Sequence, residues 1–316
     1  MSLIEPDTVS AILALVVQPF KNANPKQFPS SQPVALEREN LFKLKRFQYA
    51  VCEKTDGNRT LLVTFCGRLY SVDRGMRVSL VNDVTSTINN SVLDGEHLPH
   101  QNKYIIHDCL MFDNEPVTHI PNLYSRLEFA ERVINTLSDK STITLKQFYE
   151  TKDILKPDFE TILSLSGNER DGLIFTPVNW PVHTGRDNSL FKWKPNDKNT
   201  FDFVVFRAPK VFVFYIYANK KLKRVYDLAM ESKNGEEFEN FCVDKNLQYI
   251  EESTEWMPIS PQNVIIEVSY SPADKTYHPE RVRTDKTHPN GYITFMKTHL
   301  NIKENITMND IKKKLK

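Results

Sequence analysis

Apolar and polar residues alternate in short runs along the first two thirds of the chain, and this pattern predicts β-strands. A helical spacing of apolar residues predicts two helices among them. The first has an apolar face of Val9, Ile12, Leu13, Val16 and Val17, with Asp7 or Thr8 as its cap; the second covers 123–137, and 22–34 is an extended loop. The strands are predicted at 47–52, 60–66, 68–72, 92–98, 103–112, 171–176 and 189–194.

The pattern changes after the polar segment 196–199, which suits a domain joint. Beyond it, strands are predicted at 201–207, 210–218, 221–229 and 264–270, with an acidic helix near 236–241. Several short strands in under a hundred residues indicate a small β-barrel. The chain ends in a lysine-rich helix whose inward residues are Met308, Ile311 and Leu315. We therefore expect an α+β protein with domains at 1–199 and 200–294 and a basic C-terminal helix at 295–316.

Composition narrows the function classes. The chain has 316 residues, a formal net charge of +1 and 40% hydrophobic residues. This charge excludes a globally basic, histone-like binder, so any nucleic-acid contact needs a local basic cleft. The four cysteines lack metal-ligand spacing and indicate free thiols of a reducing compartment. The longest apolar run, 11–17, is too short to span a bilayer, so we expect an intracellular protein without a membrane partner.

The segment Lys54-Thr55-Asp56-Gly57-Asn58-Arg59 reads K-x-D-G-x-R between two predicted strands. A lysine held there on rigid scaffold would suit a covalent nucleophile. The same letters also suit a plain hairpin, since Asp-Gly favours tight turns.

Other charged residues interrupt apolar strands or lie at their ends. Taken one at a time, each has an ordinary structural explanation as a turn or a wet strand face. Together they supply carboxylates for a metal or a ribose and cations for phosphates, which is the equipment of nucleotidyl transfer. No Walker-type glycine-rich loop is present. The groups are Asp94-Gly95-Glu96, Arg170-Asp171-Gly172, Lys192-Trp193-Lys194 and Arg281 to Lys286.

In this order the motifs resemble those of the covalent nucleotidyltransferases, and more closely the messenger-RNA capping guanylyltransferases than the ATP-dependent polynucleotide ligases. The resemblance runs from about Phe28 to Asn290. The departures are Ser30 in place of a glycine, His97 in place of an apolar residue, His107 in place of an aromatic residue and Tyr270 in place of a tryptophan. The matching segments are 28–34 (FPSSQPV), 171–177 (DGLIFTP), 190–195 (LFKWKP), 199–203 (NTFDF) and 281–286 (RVRTDK).

The resemblance implies a nucleotidyltransferase domain of antiparallel sheets and flanking helices at 1–199, followed by an OB-fold domain. It implies that Lys54 attacks the α-phosphorus of GTP, forms a lysyl-N-GMP intermediate and passes GMP to the 5′-diphosphate end of RNA. The implied contacts are Arg59 and Glu96 to the ribose, Arg74 to the sugar-phosphate region, Tyr104 stacked on guanine, Lys192 and Lys194 to the α-phosphate, Asp171 to Mg²⁺ or Mn²⁺, and Arg283, Asp285 and Lys286 to the departing pyrophosphate.

Two alternatives remain at this point: an ATP-dependent RNA or DNA ligase that uses lysyl-AMP, and a non-catalytic nucleotide- or RNA-binding relative. The sequence has no phosphatase-like His-Cys-x5-Arg segment, so a separate RNA triphosphatase is expected. A eukaryotic cellular source would imply a nuclear protein that binds the phosphorylated tail of RNA polymerase II. A viral source would place it in the cytoplasm.

Overall fold

The computed structural model describes residues 4–21, 24, 28–208, 210–245, 247, 264–284 and 286–316. The chain divides into two compact units, one of residues 1–193 with 308–316 and one of residues 194–307. Within the described parts of the chain, no helix is long and apolar enough to cross a membrane. The predicted joint at 196–199 lies at the start of the second unit, where Asn196–Lys198 forms a short 3₁₀ helix.

The first unit contains two sheets and five helices among its described residues. The helices are α1 (Pro6–Val17), α2 (Leu41–Arg46), α3 (Leu123–Asn135), α4 (Phe159–Ser164) and α7 (Met308–Leu315). The strands are β1 (Ser31–Ala35), β2 (Tyr49–Thr55), β3 (Asn58–Phe65), β4 (Arg68–Asp73), β5 (Val78–Thr85), β6 (Ser91–Leu98), β7 (Lys103–Phe112), β8 (Glu115–Pro116), β9 (Ile143–Leu145), β10 (Tyr149–Glu150), β11 (Arg170–Pro177) and β12 (Gly185–Trp193).

The smaller sheet has the order β1-β12-β11-β2-β10, and the larger has the order β5-β4-β3-β6-β7-β8 with β9 beside β7. Strands β1 and β12 are parallel, as are β7 and β9, and the other pairs in these sheets are antiparallel. Every strand predicted in this part of the sequence is present within a few residues. The predicted cap of α1 is wrong, because the helix already begins at Pro6, a position where proline fits the first helical turn.

Helices cover both faces of the larger sheet. Ile12 and Val16 of α1 pack with Leu61 and Val63 of β3 on one face. Leu62, which lies between Leu61 and Val63, points to the other face, where it belongs to a cluster with Val133 and Ile134 of α3. Because neighbouring side chains on a strand point to opposite faces, β3 is apolar at consecutive positions instead of alternating.

Asp56 and Gly57 connect the two sheets. Strand β2 belongs to the smaller sheet and β3 to the larger, so this turn does not close a hairpin. A Cβ atom on Gly57 would lie 2.9 Å from the carbonyl oxygen of His97, which explains the need for glycine. The crossing places Lys54 on one sheet and Arg59 on the other, with a cleft between the sheets.

Gly95 lets β7 approach β6 closely. An added Cβ would lie 2.6 Å from the carbonyl oxygen of Ile105, and the register shifts between Asp94 and Gly95. This irregularity is a β-bulge within a strand, so the Asp-Gly pair at 94–95 is not a turn. Asp94 and Glu96 are two residues apart on β6 and therefore share a face of the sheet, the face that carries Arg59, since Arg59 pairs in register with Glu96.

The described residues of the second unit form an antiparallel five-stranded sheet and two α-helices. Its order is β15-β14-β13-β16-β17, and the described residues contain no pairing between the two end strands. A phenylalanine-rich core joins the sheet to the helices, and the unit is consistent with an OB fold. The elements are β13 (Thr200–Arg207), β14 (Val211–Ala218), β15 (Lys221–Ala229), α5 (Lys233–Asp244), β16 (Ile265–Ser271), β17 (Thr276–Val282) and α6 (Tyr292–Glu304).

The C-terminal segment forms two helices instead of the single basic helix predicted at 295–316. Helix α6 ends at Glu304 and is followed by Asn305, whose φ of 45° is left-handed, a conformation that asparagine tolerates at helix ends. Helix α7 follows and belongs to the first unit, where Ile311 is fully buried. Its three consecutive lysines, 312–314, lie in its last turn, where they complement the helix dipole.

Candidate active site

The cleft between the two sheets of the first unit contains about 840 Å³ of empty space, which includes open solvent. Both sheets contribute to its lining. Lys54 and Ile174 come from the smaller sheet, while Arg59, Asp94 and Glu96 come from the larger. The structure thus brings four residues predicted from the sequence, Lys54, Arg59, Glu96 and Asp171, to one place, since Asp171 contacts Lys54 directly.

Lys54 forms an ion pair at the end of β2. Its Nζ lies 2.8 Å from Oδ1 of Asp171, and the two side chains are 20% and 15% exposed. The ladder between β2 and β11 fixes this geometry, because Lys54 pairs in register with Gly172, the neighbour of Asp171. The amine is therefore held on two paired strands beside a carboxylate, while it still reaches solvent.

Arg59 is held firmly by Asp94. Its Nε and Nη2 donate to the two carboxylate oxygens of Asp94 at 3.0 and 2.6 Å, and Nη1 donates to the carbonyl oxygen of Ser31 at 2.7 Å. Ser30 donates its hydroxyl to Asp94 and accepts from Arg59 Nη2 at 2.8 Å. Burial disfavours the Asp94 carboxylate, but the Arg59 charge, the nearby His107 and the hydrogen bonds from Arg59 and Ser30 together outweigh this effect, so the pKa of Asp94 lies below its usual value.

Glu96 has the opposite electrostatics. Burial raises its pKa to about 6, although Lys146, Lys54 and Arg59 act to lower it. Among the residues that the structure describes, its Oε2 atom is buried without a hydrogen-bond partner. A buried carboxylate oxygen without a partner is costly, and such atoms mark positions for a missing ligand.

Lys146 is a cleft residue that the sequence analysis missed. It follows β9 at the point where the chain passes from the larger sheet to the smaller one, and its N–H donates to the Ile106 carbonyl at 2.7 Å. Its ammonium lies 3.2 Å from Oε1 of Glu53 and also contacts Thr55. It is 9% exposed and lines the cleft. No local spacing distinguishes it from the other lysines of the sequence.

Arg126 is a second missed residue. It is 2% exposed on α3, and its Nε and Nη2 donate to Asp108 at 2.7 and 2.9 Å. Its Nη1 donates to carbonyl oxygens of Ile120, Pro121 and Trp180. Arg126 therefore ties β7, α3 and the loop after β11 together behind the cleft. Its position within the apolar spacing of a helix gave no sign of this role.

Tyr104 does not lie in the cleft, so its predicted stacking on guanine requires correction. It pairs in register with His97, and the two rings stack at 4.4 Å on the face of the sheet that α3 covers. The neighbour that faces the cleft is Ile105, which pairs with Glu96. The alternation of side chains along β7 explains the difference of one residue.

Arg74 and Lys192 are the remaining predicted residues of the first unit. Arg74 is exposed in the turn after β4. Lys192 is half-buried on β12, in register with Ile174, a cleft residue. It shares a strand face with Leu190, which also lines the cleft.

The other predicted cations belong to the second unit. There, Nη1 of Arg283 lies 3.0 Å from Oδ1 of Asp202, and Lys286 contacts the same carboxylate. Asn290 donates to Asp202 at 2.9 Å and fixes this loop to β13. Lys194 is the first residue of this unit. Asp285 lies outside the described residues.

Comparisons with known proteins find relatives and a solved structure that are similar to this chain. The mRNA-capping enzyme subunit alpha of Schizosaccharomyces pombe is 31% identical over 61% of this chain and 57% of its own length. The corresponding protein of Candida glabrata is 25% identical over 98% of this chain and 85% of its own length. A solved structure of a mycobacterial DNA ligase D complexed with ATP and MES is 17% identical, covers 82% of this chain and 95% of that chain, and has a TM-score of 0.47.

The chain matches little more than half the length of several of these relatives, 53% for the protein of Saccharomyces cerevisiae. Two family models match it. The model described as the mRNA capping enzyme C-terminal domain covers residues 182–312. The model described as the mRNA capping enzyme catalytic domain covers residues 2–196, more than half of the chain, and the chain therefore belongs to the mRNA capping enzyme family.

Proposed function

We propose that this chain is a GTP–RNA guanylyltransferase that carries GMP on Lys54. The observation that carries the proposal is the Lys54–Asp171 pair, held on two strands at a cleft that also contains Arg59 and Glu96. A nucleophile within hydrogen-bond reach of a carboxylate is the arrangement that covalent catalysis requires. Membership of the capping family supports this choice of reaction.

In the first step, Nζ of Lys54 attacks the α-phosphorus of GTP. A P–N bond forms, the bond between the α-phosphorus and the bridging oxygen breaks, and pyrophosphate leaves. The ammonium must lose a proton before it attacks, and Oδ1 of Asp171 lies 2.8 Å away, within proton-transfer distance. In the second step, a terminal oxygen of 5′-diphosphate RNA attacks the same phosphorus, the P–N bond breaks and Lys54 regains a proton.

Arg59 and Glu96 are proposed to bind the ribose, on the same face of the larger sheet. They pair directly across β3 and β6, which sets their separation. The unpartnered Oε2 of Glu96 can accept a hydrogen bond from a ribose hydroxyl. Arg74 is proposed to contact the sugar-phosphate region, and Lys192 and Lys194 the α-phosphate. Arg283, Asp285 and Lys286 are proposed to orient the departing pyrophosphate.

A divalent ion, Mg²⁺ or Mn²⁺, fits this cleft. The described residues contain no group of three or more histidine, cysteine or acidic side chains that could hold a metal by themselves. Mg²⁺ is commonly bound by one or two carboxylates together with substrate phosphates, so Asp171 would be a sufficient protein contribution. When bound, such an ion stabilises negative charge that develops on the phosphates.

Lys146 favours guanine over adenine. Guanine presents the acceptors O6 and N7 on one edge, whereas adenine presents a donor amine at C6 beside N7. An ammonium has only donors, so a buried lysine in the cleft matches the guanine edge and opposes the adenine amine. This is the observation that favours the guanylyltransferase over the alternative, an ATP-dependent ligase.

The test is covalent labelling. The protein is incubated with a divalent metal and with α-labelled GTP or α-labelled ATP, and the acid-stable adduct is measured. We expect labelling by GTP and none by Lys54→Ala. Labelling by ATP and not by GTP would assign the chain to the ligases, and no labelling by either would leave a binding protein without turnover.

Three further assignments rest on this proposal. The first unit would be the nucleotidyltransferase domain and the second an OB-fold domain, with a boundary near the predicted 199–200. A separate RNA triphosphatase would supply the 5′-diphosphate RNA. Relatives in fungi and animals favour a nuclear protein recruited by the phosphorylated tail of RNA polymerase II.

A further inference from the structure

Glu53 is the residue before the proposed nucleophile, and it is 5% exposed. Like Lys54 it lines the cleft, but its carboxylate is not the partner of the Lys54 ammonium, which pairs with Asp171. Glu53 instead accepts donors from two other segments of the chain, Lys146 and the loop of Ser166 and Asn168. Lys146 lies 3.2 Å from Oε1, Ser166 donates to Oε2 at 2.6 Å, and Asn168 donates to Oε1 at 2.7 Å.

These contacts make Glu53 a charged centre and not a simple buried acid. Burial raises its pKa, but the Lys146 charge and the donors from Ser166 and Asn168 outweigh that effect, so the pKa lies below its usual value. A carboxylate held in this way stays ionised at neutral pH. It therefore keeps a full negative charge beside the Lys146 ammonium.

Lys146 has a second carboxylate within electrostatic reach. Among the charges that lower the pKa of Glu96, the Lys146 ammonium has the largest effect. The Oε2 atom of Glu96 has no hydrogen-bond partner among the described residues. A lysine side chain is long and flexible, so the same ammonium could close on Glu96 if nothing held it back. Such a contact would occupy the oxygen proposed to bind the ribose.

We propose that Glu53 is a positioning residue for base recognition: it anchors the Lys146 ammonium at the cleft, where that cation reads the C6 oxygen of guanine instead of pairing with Glu96. The inference rests on the proposed guanylyltransferase function. Through Ser166 and Asn168, Glu53 also fixes the loop before β11. In the same loop, the carbonyl oxygen of Glu169 accepts a hydrogen bond from the backbone N–H of Asp56 at 3.0 Å. One carboxylate thus links base reading to the segment that carries Asp171.

The test compares two substrates that differ at the purine C6 position. GTP has an oxygen there, whereas 2,6-diaminopurine riboside triphosphate has an amine and keeps the C2 amine. The kcat and KM for lysyl-nucleotide formation are measured for both substrates with the wild type, Glu53→Gln and Glu53→Asp. Glu150→Gln, at an exposed glutamate that pairs with Lys152, is the matched control.

We expect Glu53→Gln to lower the preference for GTP over the diaminopurine substrate about 10- to 100-fold, the size of a lost hydrogen bond to a charged group. The change should appear in the KM for GTP, while Glu53→Asp retains most of the preference because it keeps the charge. Glu150→Gln should match the wild type. If Glu53→Gln does not fold, Glu53→Asp decides the question: a small loss of the preference for GTP supports the inference, and an unchanged preference overturns it.

Equal losses for the two substrates in both Glu53 variants would overturn the inference and leave Glu53 a structural residue. A preference that is unchanged in both variants would overturn it as well. Failure of the proposed function looks different, since the wild type would then form no adduct with GTP at all.

Discussion

Asp94 and Glu96 lie two residues apart on the same strand and face the same cleft, yet their surroundings are opposite. Asp94 is 1% exposed and receives donors from Arg59 and Ser30, so its pKa is lowered. Glu96 keeps a buried oxygen without a partner among the described residues, and burial raises its pKa to about 6. The bulge at Gly95 separates the two environments.

The difference indicates two roles: the Asp94 cluster holds the site in shape, and the Glu96 end of the cleft binds the substrate. The Asp94 cluster satisfies its own charges and holds Arg59 in one orientation without any ligand. The Glu96 end of the cleft, with the Lys54–Asp171 pair, carries charge that the protein alone does not fully compensate. Buried polar groups of the first kind stabilise a fold, whereas those of the second kind cost stability and serve function.

The largest effect is expected on stability from Asp94→Asn. The substitution leaves the buried Arg59 charge without its carboxylate, and loss of one partner of a buried pair costs about 3–5 kcal/mol. Chemical denaturation should show a lower free energy of unfolding by that amount. A change below about 1 kcal/mol would mean that the Arg59 pair does not support the fold.

Asp171→Asn should instead act on catalysis. Asp171 and Lys54 both keep some exposure to solvent, whereas Asp94 is 1% exposed, so the loss of stability should be smaller than for Asp94→Asn. Loss of the charge beside the nucleophile should reduce lysyl-GMP formation about 10²- to 10³-fold. The rate of adduct formation in a single turnover measures this, and a normal rate would remove Asp171 from the proposed step.

Glu96→Gln should raise stability at neutral pH while it reduces GTP loading. The folded pKa is about 6, above the ordinary 4.5, so the folded state binds the proton more tightly than the unfolded state does. The Glu96 charge therefore destabilises the wild type above pH 6, and this cost disappears as the pH falls below 4.5.

The stability gain of Glu96→Gln should accordingly be present at pH 7.5 and absent near pH 4.5, as thermal unfolding at the two pH values would show. Wild-type loading should decrease as the pH falls through 6, where the carboxylate gains its proton. A stability loss at pH 7.5 would contradict the contrast with Asp94.

The smallest effect is expected from Arg74→Ala. The side chain is exposed, and exposed charge contacts contribute less than about 1 kcal/mol. The KM for GTP should rise by at most about fivefold, with kcat and stability unchanged. A loss of a hundredfold would show that Arg74 belongs with the central groups.

Much of this arrangement could be predicted from local pattern. Strand periodicity located most of the longer strands of both units, but it missed β1, β5 and β17 and the short strands β8, β9 and β10. Motif order located Lys54, Arg59, Glu96 and Asp171, which the structure brings to one cleft. Tyr104 was misplaced because the prediction had to choose between adjacent residues of β7, and Tyr104 lies on the face opposite to that of Ile105, which faces the cleft.

Glu53, Lys146 and Arg126 could not be found in this way. Their importance comes from contacts between residues far apart in the chain, such as Lys146 with Glu53 and Arg126 with Asp108. A single sequence shows no pairing of distant positions. Likewise, the sequence did not indicate that Asp56-Gly57 would join two different sheets, because an Asp-Gly turn between strands reads as a hairpin.

The most direct test of the central claim is to map the covalent adduct. The protein is incubated with GTP and a divalent metal, digested, and analysed by mass spectrometry, with Lys54→Arg as the control. The account predicts one GMP group, joined through a P–N bond to Lys54, and no adduct in the variant. A GMP group on another residue, or an equal adduct in Lys54→Arg, would contradict it.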